Sequence, residues 1–278
     1  MKVLVTGANG YIGSKVVKIL CNMGVQVIAT DLCDNHIDSR AKYVGANIFE
    51  PNDDWFSFFS SPDVCIHLAW RDGFVHNSPR HMGDLSSHYC FVQNLIDHGL
   101  KKIVSIGTMH EVGYWEGAIN ENTPCNPLSQ YGIAKNALRR SIELLSAERG
   151  CAFQWLRCFY IFGDDHFGNS IFCKIRKASD LGQKTFPFTS GKNKYDFINV
   201  YDLAGKIAKC AMQNEVLGII NCCSGKAIAL SEQVEWYIRE NGLRITLEYG
   251  KYPDRPYDSP CVYGDNSKIL QIESLFNK

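Results

Sequence analysis

The chain has 278 residues, 45% hydrophobic and 21% charged, which is apolar material for one sizeable core or a main domain with a smaller lobe, and excludes a disordered chain. Twenty-nine Lys and Arg balance 29 Asp and Glu, with no basic run long enough to make a patch, so neither nucleic acid nor an anionic membrane is an expected partner. No apolar stretch approaches the roughly 18 residues that span a bilayer, and the first residues read as strand and glycine loop instead of a signal peptide, so a cytoplasmic protein is expected.

The apolar run Val3-Leu4-Val5 leads into T-G-A-N-G-Y-I-G at Thr6 to Gly13 and then into a helical pattern reaching about Met23. Strand, glycine turn and helix in this order make a seat for a dinucleotide's pyrophosphate. Gly7 permits the tight turn, Gly10 lets backbone approach phosphate, and Gly13 allows close helix packing. The helix N-terminus adds N–H groups and a favourable dipole. Glycines also gather in ordinary turns, so the assignment depends on its context in the chain. A second strand is expected over residues 25–31, closed by Asp31. A carboxylate there accepts hydrogen bonds from the adenosine ribose and repels a 2′-phosphate, favouring NAD over NADP. Asp31 also suits a plain strand-end turn.

Further strands are expected at 64–69, 103–107 and 153–159, with helices near 82–98 and from about 128 to 149. This alternation predicts an α/β fold of Rossmann type, a doubly wound parallel sheet with helices on both faces and ligands at the carboxyl ends of its strands. Beyond residue 160 the pattern loosens, and 163–191 and 250–265 read as loops or a small lobe. The expected division is a dinucleotide-binding domain over 1–163, to which 192–224 returns, and a substrate-binding lobe made of 164–191 and 225–278. Twelve scattered cysteines include no C-x-x-C pair and no Cys/His spacing suited to zinc. They read as buried, reduced thiols, for example Cys65, Cys158, Cys173 and Cys210, and no metal is expected. The adjacent Cys222-Cys223 and the histidines His81, His88 and His110 carry no assigned role.

Tyr131 and Lys135 stand four apart on the expected long helix, so their side chains share a face. An ammonium beside a phenol favours the phenolate and lowers a pKa that starts near 10, which suits acid–base chemistry. The same spacing also arises on solvated helix faces.

The glycine loop, H-L-A at His67 to Ala69, Thr108 at a strand end, Y-G-I-A-K at Tyr131 to Lys135, L-R-C-F-Y-I-F-G at Leu156 to Gly163 and Y-D-F-I-N-V-Y-D-L-A at Tyr195 to Ala204 occur in one order and spacing. In these motifs the chain resembles the extended short-chain dehydrogenase/reductase family over nearly its whole length. The resemblance implies that the Thr108 hydroxyl bonds the substrate carbonyl or alcohol, although a strand-end cap is its other reading. It implies Tyr131 as general acid/base, with Lys135 lowering its pKa and holding the nicotinamide ribose. Tyr11 and Ile12 would offer backbone N–H groups to the pyrophosphate, Asn47 and Ile48 would flank the adenine, and Leu68 and Ala69 would pack near the cofactor's middle. Phe197 and Asp202 would shape the lobe.

Many members of this family act on nucleotide-diphospho sugars. Arg255, in R-P-Y-D-S, resembles an arginine that grips the substrate diphosphate, a task suited to a guanidinium fork, with a surface ion pair as the alternative. Asn169, Ser170 and Ile171 resemble the stretch that meets the nucleotide. Trp70, Arg71 and Asp72 stand where a sugar pocket would be lined, while Trp70 also suits a core. Met109-His110 follows Thr108 where sugar dehydratases carry Asp-Glu, so dehydration is not expected. Tyr160 replaces an Asn common in relatives, and Ser86-Ser87-His88 replaces G-x-T. The expected activity is NADH-dependent reduction of the 4-keto group of a nucleotide-diphospho 6-deoxyhexose, carried on dTDP. The alternatives are a 4-epimerase that retains its NAD and a dinucleotide-binding regulator without turnover, the last weakened by the presence of both Tyr131 and Lys135. A homodimer through the Tyr131 helix and its neighbour is implied by the resemblance.

Overall fold

The computed structural model describes residues 1–163, 170–254 and 258–277. Its first part alternates as expected: β1 (Lys2–Thr6), α1 (Gly13–Asn22), β2 (Gln26–Thr30), β3 (Lys42–Tyr43), α2 (Trp55–Phe58), β4 (Val64–His67), α3 (Arg80–Gly83), α4 (Leu85–Asp97) and β5 (Lys102–Thr108). A short strand β6 (Gly117–Ile119) precedes the long helix α5 (Gln130–Arg149) and β7 (Ala152–Cys158). Next come β8 (Tyr160–Phe162), α6 (Ile171–Asp180), β9 (Thr185–Pro187), β10 (Lys194–Asn199), α7 (Val200–Ala211) and β11 (Gly218–Cys222). The last elements are β12 (Ala227–Ala229), α8 (Leu230–Glu240), β13 (Thr246–Glu248), β14 (Cys261–Gly264) and α9 (Ser267–Leu275).

Seven strands form one parallel sheet in the order β11-β7-β5-β4-β1-β2-β3. Period-two alternation sends Val3 and Val5 to one face and Leu4 to the other. The first face packs α1, α7 and α9 through Val16, Val17, Leu20, Ile207, Ile269 and Ile272. The second packs α4 and α5 through Phe91, Leu95, Leu138 and Ile142. Strand order reverses between β1 and β4, and that crevice is where a ligand of such a sheet sits.

A second sheet runs β12-β10-β14-β6, with β8 also paired to β10, and β9 pairs with β13. These strands with α6 and α8 enclose a separate core of Phe159, Phe172, Ile175, Phe188, Val234 and Tyr237. The return to the first sheet therefore comes with α7 at Val200, later than residue 192, because β10 is central to the second sheet. At the other end α9 packs on α7 and β11 instead of on the lobe, its Ile269 and Ile272 joining the first core. The expected helix near 82–98 is broken into α3 and α4 around Asp84, and residues 163–191, read as loops or small lobe, contain α6 and β9.

Cys65, Cys158, Cys173 and Cys210 are buried free thiols, while Cys33 and Cys90 are exposed. Cys222 and Cys223 gain a packing account: side chains alternate across the strand end, so Cys222 enters the first core and Cys223 the lobe core.

Candidate active site

One cleft of about 1790 Å³ opens along the carboxyl ends of the first sheet and is roofed by the lobe. A single small-molecule site needs roughly 300–1000 Å³, so there is room for two ligands side by side. Gly7, Gly10, Tyr11, Ile12, Gly13, Asp31, Asn47, Ile48, Leu68, Ala69, Trp70, Thr108, Tyr131 and Lys135 all line it. Asn169 and Arg255, expected to meet the substrate, lie outside the described residues.

The glycine loop cannot carry side chains. Gly7 sits at φ 64°, and a Cβ there would stand 2.7 Å from Ala69 N; at Gly13 it would stand 2.0 Å from Gly7 O. The backbone of β1 thus turns directly against the end of β4, at the strand-order reversal. Helix α1 has no side-chain cap at its N-terminus, which leaves its positive end open to an anion. Asp31 is fixed at the end of β2, one carboxylate oxygen accepting from Asn9 N at 2.9 Å and the other from Leu32 N at 2.8 Å. A pyrophosphate over the loop and a ribose at Asp31 fit these residues.

Thr108 ends β5, and its hydroxyl accepts from His110 N at 3.3 Å, so it is a strand-end cap as well as a cleft residue. Ser129 caps α5 by accepting from Gly132 N at 3.1 Å. The loop after β4 completes that helix start: His76 O accepts from Tyr131 N at 2.8 Å, and Asn77 Oδ1 from Gln130 N at 3.2 Å. The Tyr131 ring is held between His76, stacked at 5.6 Å and 16°, and Trp70, edge-on at 6.0 Å. His81 and His110 close the remaining sides at 5.2 and 6.3 Å.

Protonation runs against the simple expectation that Lys135 lowers the Tyr131 pKa. Burial, then the nearby Cys158 and Glu111, raise the phenol above its ordinary range, opposed by a hydrogen bond with Thr108. Lys135 is itself pulled down to about 7 by burial, with Glu111 and Cys158 working the other way. Its ammonium donates to Ile106 O at 2.7 Å and lies 3.8 Å over the Trp70 ring, and stands 6.0 Å from the Tyr131 ring. Desolvation is the largest cause of both shifts.

Below Thr108 lies a charge network that sequence reasoning missed. Glu111, fully buried, accepts from Thr108 N at 2.7 Å and from Trp155 Nε1 at 2.9 Å, and faces Arg139 and Arg157 at 3.8 Å each. Its available signal was the T-x-x-E spacing from Thr108, a capping box, which the structure realises. His76 and Tyr160 join the cleft as well. Among the described residues no group of three or more His, Cys, Asp or Glu could hold a metal ion.

The chain matches the NAD dependent epimerase/dehydratase family over residues 3–223 and belongs to that family. It is 43% identical to the dTDP-6-deoxy-L-talose 4-dehydrogenase (NAD(+)) of Aggregatibacter actinomycetemcomitans, over 95% of this chain and 99% of that one. It is 30% identical to a putative UDP-glucose 4-epimerase of Methanocaldococcus jannaschii, over 98% and 92%. In fold it matches the UDP-N-acetylglucosamine 4-epimerase of Methanobrevibacter ruminantium, with a TM-score of 0.85 at 19% identity, covering 98% of this chain and 91% of that one. The UDP-glucose 4-epimerase of Thermus thermophilus, solved with NAD, gives a TM-score of 0.78 at 20% identity, covering 100% and 94%.

Proposed function

We propose that this chain is an NAD(H)-dependent oxidoreductase that reduces the 4-keto group of a dTDP-linked 6-deoxyhexose. The same reaction written backwards is the one named for the relative at 43% identity. The observation that carries the reading is that Thr108, Tyr131 and Lys135 meet on the cleft opened by the glycine loop. The cofactor, when bound, supplies hydride to the sugar C4.

Every other task falls to residues of the chain. Gly7, Gly10, Gly13 and the backbone of Tyr11 and Ile12 seat the pyrophosphate, Asp31 takes the adenosine ribose, Asn47 and Ile48 flank the adenine, and Leu68 and Ala69 support the middle. Lys135 holds the nicotinamide ribose. Thr108 steadies the oxygen on which charge develops, and Tyr131 gives that oxygen its proton. A phenol kept protonated by burial is in the form that donates. Substrate binding falls to the lobe, with Asn169 and Arg255 meeting the nucleotide and its diphosphate. Met109 and His110 after Thr108 supply no acid/base pair for dehydration.

The protein should oxidise NADH when given a dTDP-4-keto-6-deoxyhexose, and NMR of the product should show a new 4-hydroxyl. Protein purified with bound NAD that converts UDP-sugars without added NADH would instead make it an epimerase. No helix among the described residues is long and apolar enough to cross a membrane, and we place the protein in the cytoplasm. We also propose a homodimer through α4 and α5, the latter exposing Ile133 and Leu144; a monomeric mass in light scattering would exclude it.

A further inference from the structure

We propose that Trp70 is a positioning residue for Lys135, an aromatic platform that holds the ammonium at the cofactor, and not a wall of the sugar pocket. The inference rests on the reading of Lys135 as the ribose-binding residue. One face of the indole stacks on His88, centroids 4.3 Å apart and planes 14° apart, while Lys135 Nζ stands over the ring at 3.8 Å. An imidazole and an ammonium at those distances cannot share a face, so neither face is left for a sugar.

The platform cannot turn, because its supports are fixed proton by proton. The indole Nε1–H donates to His81 Nδ1 at 3.1 Å, and His81 Nε2 therefore carries the hydrogen it gives to Val75 O at 2.9 Å. Thr6 Oγ1 accepts from Leu68 N and Ala69 N at 3.2 Å each, so its own hydrogen goes to His67 Nδ1 at 2.9 Å. His67 then donates from Nε2 to His88 Nδ1 at 2.9 Å. Burial keeps His67 and His88 neutral, so the indole has an uncharged ring behind it and offers its front face to a cation.

The hydrogens of Lys135 complete the count. In the protonated form one goes to Ile106 O at 2.7 Å and one faces the indole, which leaves one for a hydroxyl entering the cleft. The indole thus confines a stem with four rotatable bonds to the position where that last N–H is useful. It also explains why the chain gathers His67, His81 and His88 beside a cofactor site without giving any of them a reacting atom.

NADH affinity should be titrated for the unaltered chain, Trp70→Leu, Trp70→Phe, Lys135→Met and the double variant Trp70→Leu/Lys135→Met, with the sugar KM measured at saturating NADH. Trp70→Leu should raise the NADH Kd about tenfold and leave the sugar KM within about twofold. Trp70→Phe keeps a smaller π face and should raise it only about threefold, and it serves as the test if the leucine variant does not fold. Once Lys135 is Met, Trp70→Leu should add nothing. An unchanged NADH Kd with a raised sugar KM, or additive losses in the double variant, would overturn the platform. Lys135→Met with an unchanged NADH Kd would remove the ribose-binding reading, and the platform with it.

Discussion

Tyr131 and Lys135 lie on one helix face, as their spacing requires, yet burial and not proximity sets their protonation. Spacing is a local property and legible in the chain; desolvation depends on what closes around the pair, here His76, His81, His110 and Trp70 from three other segments. Replacing the phenol hydroxyl removes the proton donor without touching the cofactor seat. Tyr131→Phe should therefore lower kcat by about 10²- to 10⁴-fold while the NADH Kd stays unchanged in a fluorescence titration. Asp31 was legible for the same local reason, as a carboxylate ending the second strand. Asp31→Ala should narrow the preference for NADH over NADPH in kcat/KM, and equal use of both by the unaltered chain would end its ribose role. Glu111 was not legible as a buried charge, because Arg139, Arg157 and Trp155 reach it from two separate elements. Its T-x-x-E spacing announces only a cap.

At the level of elements, the buried strands and the long helix follow from apolar period and caps, and α5 ends on Gly150 in the left-handed conformation. What pattern could not supply is how elements are tied. The loop from Trp70 to Pro79 is joined to the start of α5 by a carbonyl and an amide side chain, and β4 is joined to α4 by the His67–His88 bond. That second tie has a pH dependence. Burial pulls His67 down to about 3 and His88 well below its ordinary value, whereas both titrate near 6.5 in an unfolded chain. Below pH 6.5 the unfolded chain binds more protons than the folded one, so stability falls as pH falls. The two together give a slope of up to about 2–3 kcal/mol per pH unit. Buried His110, pulled down to about 4, adds to the same slope. Urea midpoints at pH 7 and pH 5 check this, and the slope should fall by about a third in His88→Phe.

Over the whole molecule, the doubly wound sheet was legible because five of its seven strands, β1, β2, β4, β5 and β7, are apolar runs bounded by turn residues, while the edge strands β3, only Lys42–Tyr43, and β11 were not expected. The lobe was legible only as a place where that regularity stops, since strands of three residues such as β6, β8, β9 and β12 carry too little pattern to read. The described chain leaves the first sheet for lobe strands three times, at β6, at β8 and at β12, and returns at α5, α7 and α9. Sheet and lobe should therefore melt in one transition, whose midpoint rises with NADH; saturation at about 100 times Kd adds roughly 2.7 kcal/mol. Two separate transitions in calorimetry, only one of them moved by NADH, would contradict this.

The same threefold crossing bears on how such a protein could acquire a new substrate. A lobe strung on the chain as one insert could be exchanged by a single cut and splice. Here its β6 lies between a cleft threonine and the Tyr131 helix, and its last strand is followed by a helix whose isoleucines complete the core around Val3 and Val5. Grafting a relative's lobe would need three segments exchanged at six junctions at once, so substrate choice in this chain is open to change by point substitution within the lobe and closed to wholesale exchange.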